Sequence, residues 1–161
     1  MRKLIEGHNI RLEALIINEN KILAIHRINS GEEYYVLPGG GWEEGETAEE
    51  GVKREVYEET SLNIVVERLV FSLLIKDDSQ RQVYFCKYLG GDPKLGDFNE
   101  KKEMDAGEQI YKPIWLPIED LPKTTLYELE LRDWFLANYK NGQLPQEPFV
   151  MRITRDKFRN K

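Results

Sequence analysis

The chain has 161 residues and a mass of 18.9 kDa, enough for one hydrophobic core and too short for two independent ones. Apolar residues at 40% and charged residues at 32% exclude a disordered or fibrous chain. A net charge of -6 argues against an extended nucleic acid as partner, whereas phosphate ligands stay compatible if a cation supplies the positive charge.

At the N-terminus, MRKLIEGHNI lacks the apolar core of a secretion signal, and no later run approaches the roughly 18 apolar residues of a bilayer span, so no membrane partner and a cytoplasmic location are expected. NIRLEALII (9–17) and KILAIHRI (21–28), rich in branched residues and separated by Asn18-Glu19-Asn20, predict two strands joined by a tight turn. A loop over 29–33 leads to a short strand at 34–37, stopped by Pro38 and three glycines, Gly39 to Gly41. A helix is predicted over 48–60. Strand composition returns at 64–76 and 81–89 around Asp77-Asp78-Ser79-Gln80, the pattern of a hairpin. The lone cysteine, Cys86, lies in VYFCKY and reads as a small buried hydrophobe.

Residues 90–107 read as a long polar loop, 111–117 as a strand and 118–123 as a turn. A second helix is predicted over 125–140, with Leu126, Leu129, Trp134 and Ala137 on one face and Leu131 and Phe135 beside it. FVMRI reads as an edge strand or packed arm, within a C-terminal extension (141–161) of a single domain over 1–161. Strands mixed with one early and one late helix predict an α/β fold, a mixed sheet covered on both faces.

The segment GGWEEGETAEEGVKREVYEETSL, Gly40 to Leu62, carries the chemistry. Thr47 and Glu50 form a capping-box pattern, and Glu49 and Glu50 suit the first turn of a helix. At 100° per residue, Glu55 and Glu59 fall in the same sector as Val52 and Val56, with Glu58 beside them, while Glu50, Lys53 and Arg54 fall opposite. A merely solvated acidic face would place Glu55 and Glu59 with the latter group. Two carboxylates 4 Å apart repel by roughly 4 kcal/mol at an effective dielectric of 20, so the arrangement asks for a cation or a raised pKa. The two histidines, His8 and His26, show no ligand spacing and His26 reads as structural; oxygen donors favour magnesium, with manganese as the alternative. The three glycines allow backbone to approach another group closely.

Written out, the segment is Gly40, five residues, Glu46, seven residues, then Arg54-Glu55-Val56-Tyr57-Glu58-Glu59-Thr60-Ser61-Leu62. It resembles the signature of the Nudix (MutT-like) hydrolases at every fixed position but one: Ser61 stands where the family has glycine. The resemblance extends more loosely over residues 10–140. It implies an α/β/α sandwich around a mixed sheet, and hydrolysis of the pyrophosphate bond in a nucleoside diphosphate linked to another group. It also implies Mg2+ (or Mn2+) held by Glu55, Glu58 and Glu59 with Gly40 close by, Glu55 and Glu58 in catalysis, and Arg54 orienting the glutamates and pairing with Glu46. Water activated by the metal would attack phosphorus. Family members recruit a further glutamate from a later loop, here Glu108, with Glu100 and Glu103 behind it. Dimers are common among such proteins, so a homodimer is an expectation of the same origin.

Substrate recognition is expected from Arg27 toward a phosphate or carboxylate, from Gly40, and from the aromatic rings of Tyr35, Trp42, Phe71 and Tyr84. A proline some 15 residues past the signature accompanies action on ADP-ribose in the family, and a tyrosine slightly further along accompanies action on dinucleoside polyphosphates. Lys76-Asp77-Asp78-Ser79 carries neither mark, which leaves nucleoside triphosphates, oxidised nucleotides and nucleotide sugars open. Two other readings compete: a catalytically inactive nucleotide-binding or regulatory module, disfavoured by the complete set Arg54, Glu55, Glu58 and Glu59, and an RNA 5′-end pyrophosphohydrolase, disfavoured by the lack of a broad basic run. RITRDKFR (152–159) could still form a small basic patch.

Overall fold

The structure, a computed structural model, describes residues 9–75, 79–96 and 110–154. Nine strands are described: β1 (Asn9–Asn18), β2 (Lys21–Asn29), β3 (Glu32–Val36), β4 (Gly39–Gly41), β5 (Ile64–Ile75), β6 (Ser79–Tyr88), β7 (Ile110–Pro117), β8 (Leu126–Tyr127) and β9 (Phe149–Ile153). Two α-helices accompany them, α1 (Ala48–Thr60) and α2 (Leu129–Asn138), with a 3-10 segment at Ile118–Lys123.

The strands form one mixed sheet in the order β8-β3-β2-β1-β6-β5-β9, with β4 paired to β1 and β7 to β2. Only the last residues of β1, Ile17 and Asn18, pair with β2. Upstream, Arg11, Leu12 and Glu13 pair instead with Gly41, Gly40 and Gly39. The sheet therefore divides along β1, and the glycine strand carries the chain from one half to the foot of α1.

Period-two alternation along β1 sorts its side chains between two cores. Leu12, Ala14 and Ile16 pack with Val52 and Val56 of α1 and with Leu23, Leu62 and Cys86. Leu15 packs on the other face with Phe71, Leu73, Val83 and with Leu131, Trp134 and Phe135 of α2. A helix thus covers each face of a mixed sheet, the α/β/α arrangement expected. Full burial of each large aliphatic side chain contributes about 1.5–3 kcal/mol, so both helices are held mainly through these stripes.

Helix α1 begins and ends where its sequence says. The Thr47 hydroxyl accepts from the Glu50 N–H at 3.1 Å, and the Thr47 N–H donates to the Glu50 carboxylate at 2.9 Å, completing the capping box. Ser61 closes the helix with φ of 64°, a left-handed conformation that costs a non-glycine residue roughly 1–2 kcal/mol. Its hydroxyl donates to the Lys94 carbonyl at 2.9 Å, an offsetting bond that glycine could not make.

Three expectations need correction. The second helix covers ten residues, not sixteen, because Leu126 and Tyr127 pair in parallel with Tyr35 and Val36 of β3 and Glu128 becomes the cap residue. Its buried face is Leu131, Trp134 and Phe135; Leu129 is 38% exposed and Ala137 faces solvent. The glycine run does not merely stop a strand, since it is one. Ser79 and Gln80, expected in a turn, already pair with Ile75 and Leu74. FVMRI pairs in parallel with β5 from Phe71 to Ile75 and forms the sheet edge. Cys86 is buried, and burial pushes its thiol up to about 12.

Candidate active site

The acidic face of α1 meets the glycine strand. Glu55 and Glu59 are 7% and 4% exposed and Glu58, on the same side, has a side chain 35% exposed. A Cβ on Gly40 would overlap the Glu55 carboxylate, and one on Gly39 would overlap the Leu12 carbonyl oxygen. Only backbone without side chains fits between β1 and the glutamates. The Gly39 N–H donates to Glu59 Oε1 at 3.0 Å, and the Tyr111 hydroxyl donates to Glu59 Oε2 at 2.8 Å.

Arg54 organises the rim. Its Nε and Nη2 donate to the two carboxylate oxygens of Glu46 at 3.1 and 2.7 Å, Nη1 donates to Glu55 at 2.8 Å, and Nη2 also reaches the Gly41 carbonyl at 3.1 Å. Glu58 and Glu43 stand 3.7 and 3.5 Å from Nη1. The Arg54 hydrogen bonds hold Glu46 below the usual carboxylate range, while Glu46 and Glu55 push Arg54 above its own. The pairing of Arg54 with Glu46 and its contact with Glu55 are thus present. Trp42 braces the same loop, donating through Nε1 to the Glu46 carbonyl at 2.9 Å.

Burial, followed by the charge of Glu55, raises Glu59 to about 7, although Arg11, Tyr111 and the Gly39 N–H pull the other way. A buried carboxylate whose ionisation is made costlier by a second carboxylate beside it is the donor chemistry of a hard divalent cation. Among the described residues no three carboxylate, histidine or cysteine groups converge into a closed cage. The pair Glu55 and Glu59 supplies carboxylate oxygens, the donor type a hard divalent cation takes.

The expected recognition residues separate. Arg27, on β2 opposite Tyr111 of β7, lies over the rings of Tyr34 and Tyr111 at 5.4 and 5.0 Å from their centroids, one residue removed from Glu59 through the Tyr111 hydroxyl. Tyr35 stacks on His26 with centroids 4.7 Å apart, and His26 contacts Glu33 at 2.6 Å. Phe71 is 1% exposed between Trp134 and Phe149, so its ring offers no face to a ligand. Tyr84 packs on the α1 side and donates to Gln82 at 2.8 Å. Glu100, Glu103 and Glu108 lie outside the described residues. Sequence reading passed over Tyr111, whose approach to Glu59 depends on the register of β7 on β2 and leaves no local signal.

A profile of the NUDIX domain matches residues 8–136. The chain belongs to the Nudix family. It is 33% identical over 140 residues to a protein of Methanocaldococcus jannaschii named ADP-ribose pyrophosphatase, covering 83% of this chain and 75% of that one. Among solved structures, a NUDIX hydrolase from Nitrosomonas europaea superposes with a TM-score of 0.71 at 16% identity, covering 92% of this chain and 81% of that one. An ADP-ribose pyrophosphatase from Streptococcus suis superposes with a TM-score of 0.62 at 20% identity, covering 88% and 98%. Among the described residues no helix is long and apolar enough to cross a membrane. With the family established, the segment from Gly40 to Leu62 is its Nudix signature, and Ser61 is the one departure from it.

Proposed function

We propose that this Nudix protein hydrolyses the pyrophosphate bond of a nucleoside diphosphate linked to another group, with Mg2+ or Mn2+ as cofactor. The observation that carries this reading is the buried pair Glu55 and Glu59, set against a side-chain-free strand and beside Glu58. Glu55, Glu58 and Glu59 would hold the metal, with the Gly40 backbone alongside. When bound, the ion supplies charge neutralisation for the diphosphate and lowers the pKa of a coordinated water.

The chain's own groups do the rest. Arg54 fixes Glu55 against Gly41 and Glu46 so that its carboxylate does not swing to solvent. The Gly39 N–H and the Tyr111 hydroxyl fix both oxygens of Glu59. A carboxylate of this set accepts the proton of the attacking water as its oxygen bonds to phosphorus; the anhydride P–O bond breaks and the phosphate-bearing leaving group departs with the electron pair. Arg27, flanked by Tyr34 and Tyr111, is the cation proposed for a substrate phosphate.

The name of the Methanocaldococcus jannaschii relative supports a nucleoside diphosphate sugar within this class. Product analysis with ADP-ribose, nucleotide sugars, nucleoside triphosphates and dinucleoside polyphosphates tests the reading. Cleavage of one class that requires metal and disappears in Glu58→Gln supports it. Cleavage unaffected by chelator, or by that substitution, contradicts it.

A further inference from the structure

We propose that Arg11 is a second phosphate-binding side chain of this site, aimed by Glu13 and held through Glu13 by Arg81 and Glu128. The proposal rests on the pyrophosphohydrolase reading above and adds to it a cation on β1, beside the glycine strand.

Arg11 pairs with Gly41 across β1 and β4, so it stands where the glycine strand meets the glutamate face. Its guanidinium experiences the charges of both Glu59 and Glu55 but donates to neither. Glu59 takes its two hydrogen bonds from Gly39 and Tyr111, and Glu55 takes its own from Arg54. Among the described residues the one hydrogen bond of the Arg11 side chain runs from Nε to Glu13 Oε2 at 2.8 Å. A guanidinium has five N–H donors, so the four on the terminal nitrogens are left for a ligand. The side chain is 22% exposed, while Glu13 beneath it is 1% exposed.

What lies behind Arg11 is built to stop it turning. Arg81, whose side chain is 5% exposed, pairs with Glu13 through Nη2 and with Glu128 through Nη1, the latter at 3.1 Å. Glu128 is the cap residue of α2, so the chain of charges runs from the second helix across β6 to β1. Burying such ions seldom stabilises a fold more than apolar residues of the same size would. Orientation is what the network supplies. With Nε committed to Glu13, the outer edge of the guanidinium is the free fork, and its planar pair of donors matches two non-bridging phosphate oxygens.

The test compares wild type with Arg11→Gln, Arg11→Lys and Glu13→Gln, reading KM and kcat at saturating Mg2+, Mn2+ affinity, thermal midpoint, and affinity for α,β-methylene ADP in the presence of Mg2+. Arg11→Gln is expected to raise KM and weaken the ADP analogue at least tenfold, with Mn2+ affinity within twofold of wild type. Arg11→Lys should recover part of the loss, and Glu13→Gln should reproduce part of it with Arg11 present. Changes in Mn2+ affinity or thermal midpoint without a change in KM or analogue binding would assign Arg11 to scaffolding and overturn the proposal. Should wild type turn over no substrate, the hydrolase reading fails separately, and analogue binding decides for Arg11: tenfold weakening in Arg11→Gln sustains it, while equal binding, or none by wild type, overturns it.

Discussion

Arg54 grips Glu46 with two nitrogens, at 3.1 and 2.7 Å, and Glu55 with a third, at 2.8 Å. One planar cation thus ties the loop before α1 to a carboxylate on its inner face. A lysine keeps the charge but cannot make three directed bonds. Arg54→Lys is therefore expected to lower kcat about 10- to 100-fold, an order-of-magnitude loss for a misplaced reacting group, with a thermal midpoint close to wild type. Glu46→Gln should show a smaller loss of the same kind. Steady-state kinetics beside thermal melts check both; an Arg54→Lys enzyme with unchanged kcat would remove Arg54 from its positioning role.

Glu55→Gln, Glu58→Gln and Glu59→Gln keep the side chain's shape but remove one charge each from the proposed metal site and replace one accepting oxygen with an NH2 donor. Each is expected to lower turnover by about 100-fold or more, the range for loss of a group that stabilises charge in the transition state, and to weaken Mn2+ binding. The folded signal should persist, because Glu55 and Glu59 crowd one another in the metal-free protein. Titration of Mn2+ by calorimetry separates this outcome from unfolding, and full activity in Glu58→Gln and Glu59→Gln would end the assignment.

Neighbouring glycines should fail in different ways. Gly39→Ala would drive a Cβ into the Leu12 carbonyl and the Glu13 backbone, prying β4 from β1, so it is expected to lower stability by about 1–3 kcal/mol, the usual cost of overpacking. Gly40→Ala meets the Glu55 carboxylate first, a side chain rather than backbone, and should cost activity more than stability. Denaturant melts and kcat measured on both variants check this; equal losses of both kinds in the two would contradict it.

Titration of Glu59 gives a sign that can be measured. Its folded pKa, about 7, lies above the ordinary 4.5, so the folded state binds the extra proton between those values. Stability of metal-free protein should fall as pH rises from about 4.5 to 7, by at most about 3 kcal/mol from this group. Glu13 acts oppositely: burial raises its pKa, but the charges of Arg81 and Arg11 outweigh that and hold it below the ordinary value. Its contribution is present above about 4.5 and is lost toward acid. Melts in chelator at pH 5 and 7 should differ more in wild type than in Glu59→Gln. An identical difference in the two would show that Glu59 is not the group responsible.

Helix α1 was legible in the sequence because local rules and the global fold agree there: a capping box, an apolar stripe and three acids all mark the same thirteen residues. The inward direction of Glu55 and Glu59 followed from helical period alone, and burial of both matches it. Strand β4 was not legible, since three glycines carry no strand preference and pair only because β1 offers Arg11 to Glu13 as an edge. Leu126 reads as helical by apolar spacing and Tyr127 lies in the same predicted span, yet pairing with β3 outweighs that propensity. Tyr111 reaches Glu59 through the register of β7 on β2, which joins positions far apart in sequence. Phe71 shows the converse: an aromatic residue suited to stacking on a base is occupied by Trp134 and Phe149 in the core.

The most direct test of the central claim is mass-resolved product analysis of the 161-residue chain with ADP-ribose, nucleotide sugars, nucleoside triphosphates and dinucleoside polyphosphates, each in Mg2+, in Mn2+ and in chelator. Cleavage of a nucleoside diphosphate linked to another group, giving two phosphate-bearing products in metal and none in chelator, is the predicted result. Cleavage elsewhere than the pyrophosphate bond, or no cleavage by folded, metal-loaded protein that still binds α,β-methylene ADP, would contradict it and leave a nucleotide-binding module in its place.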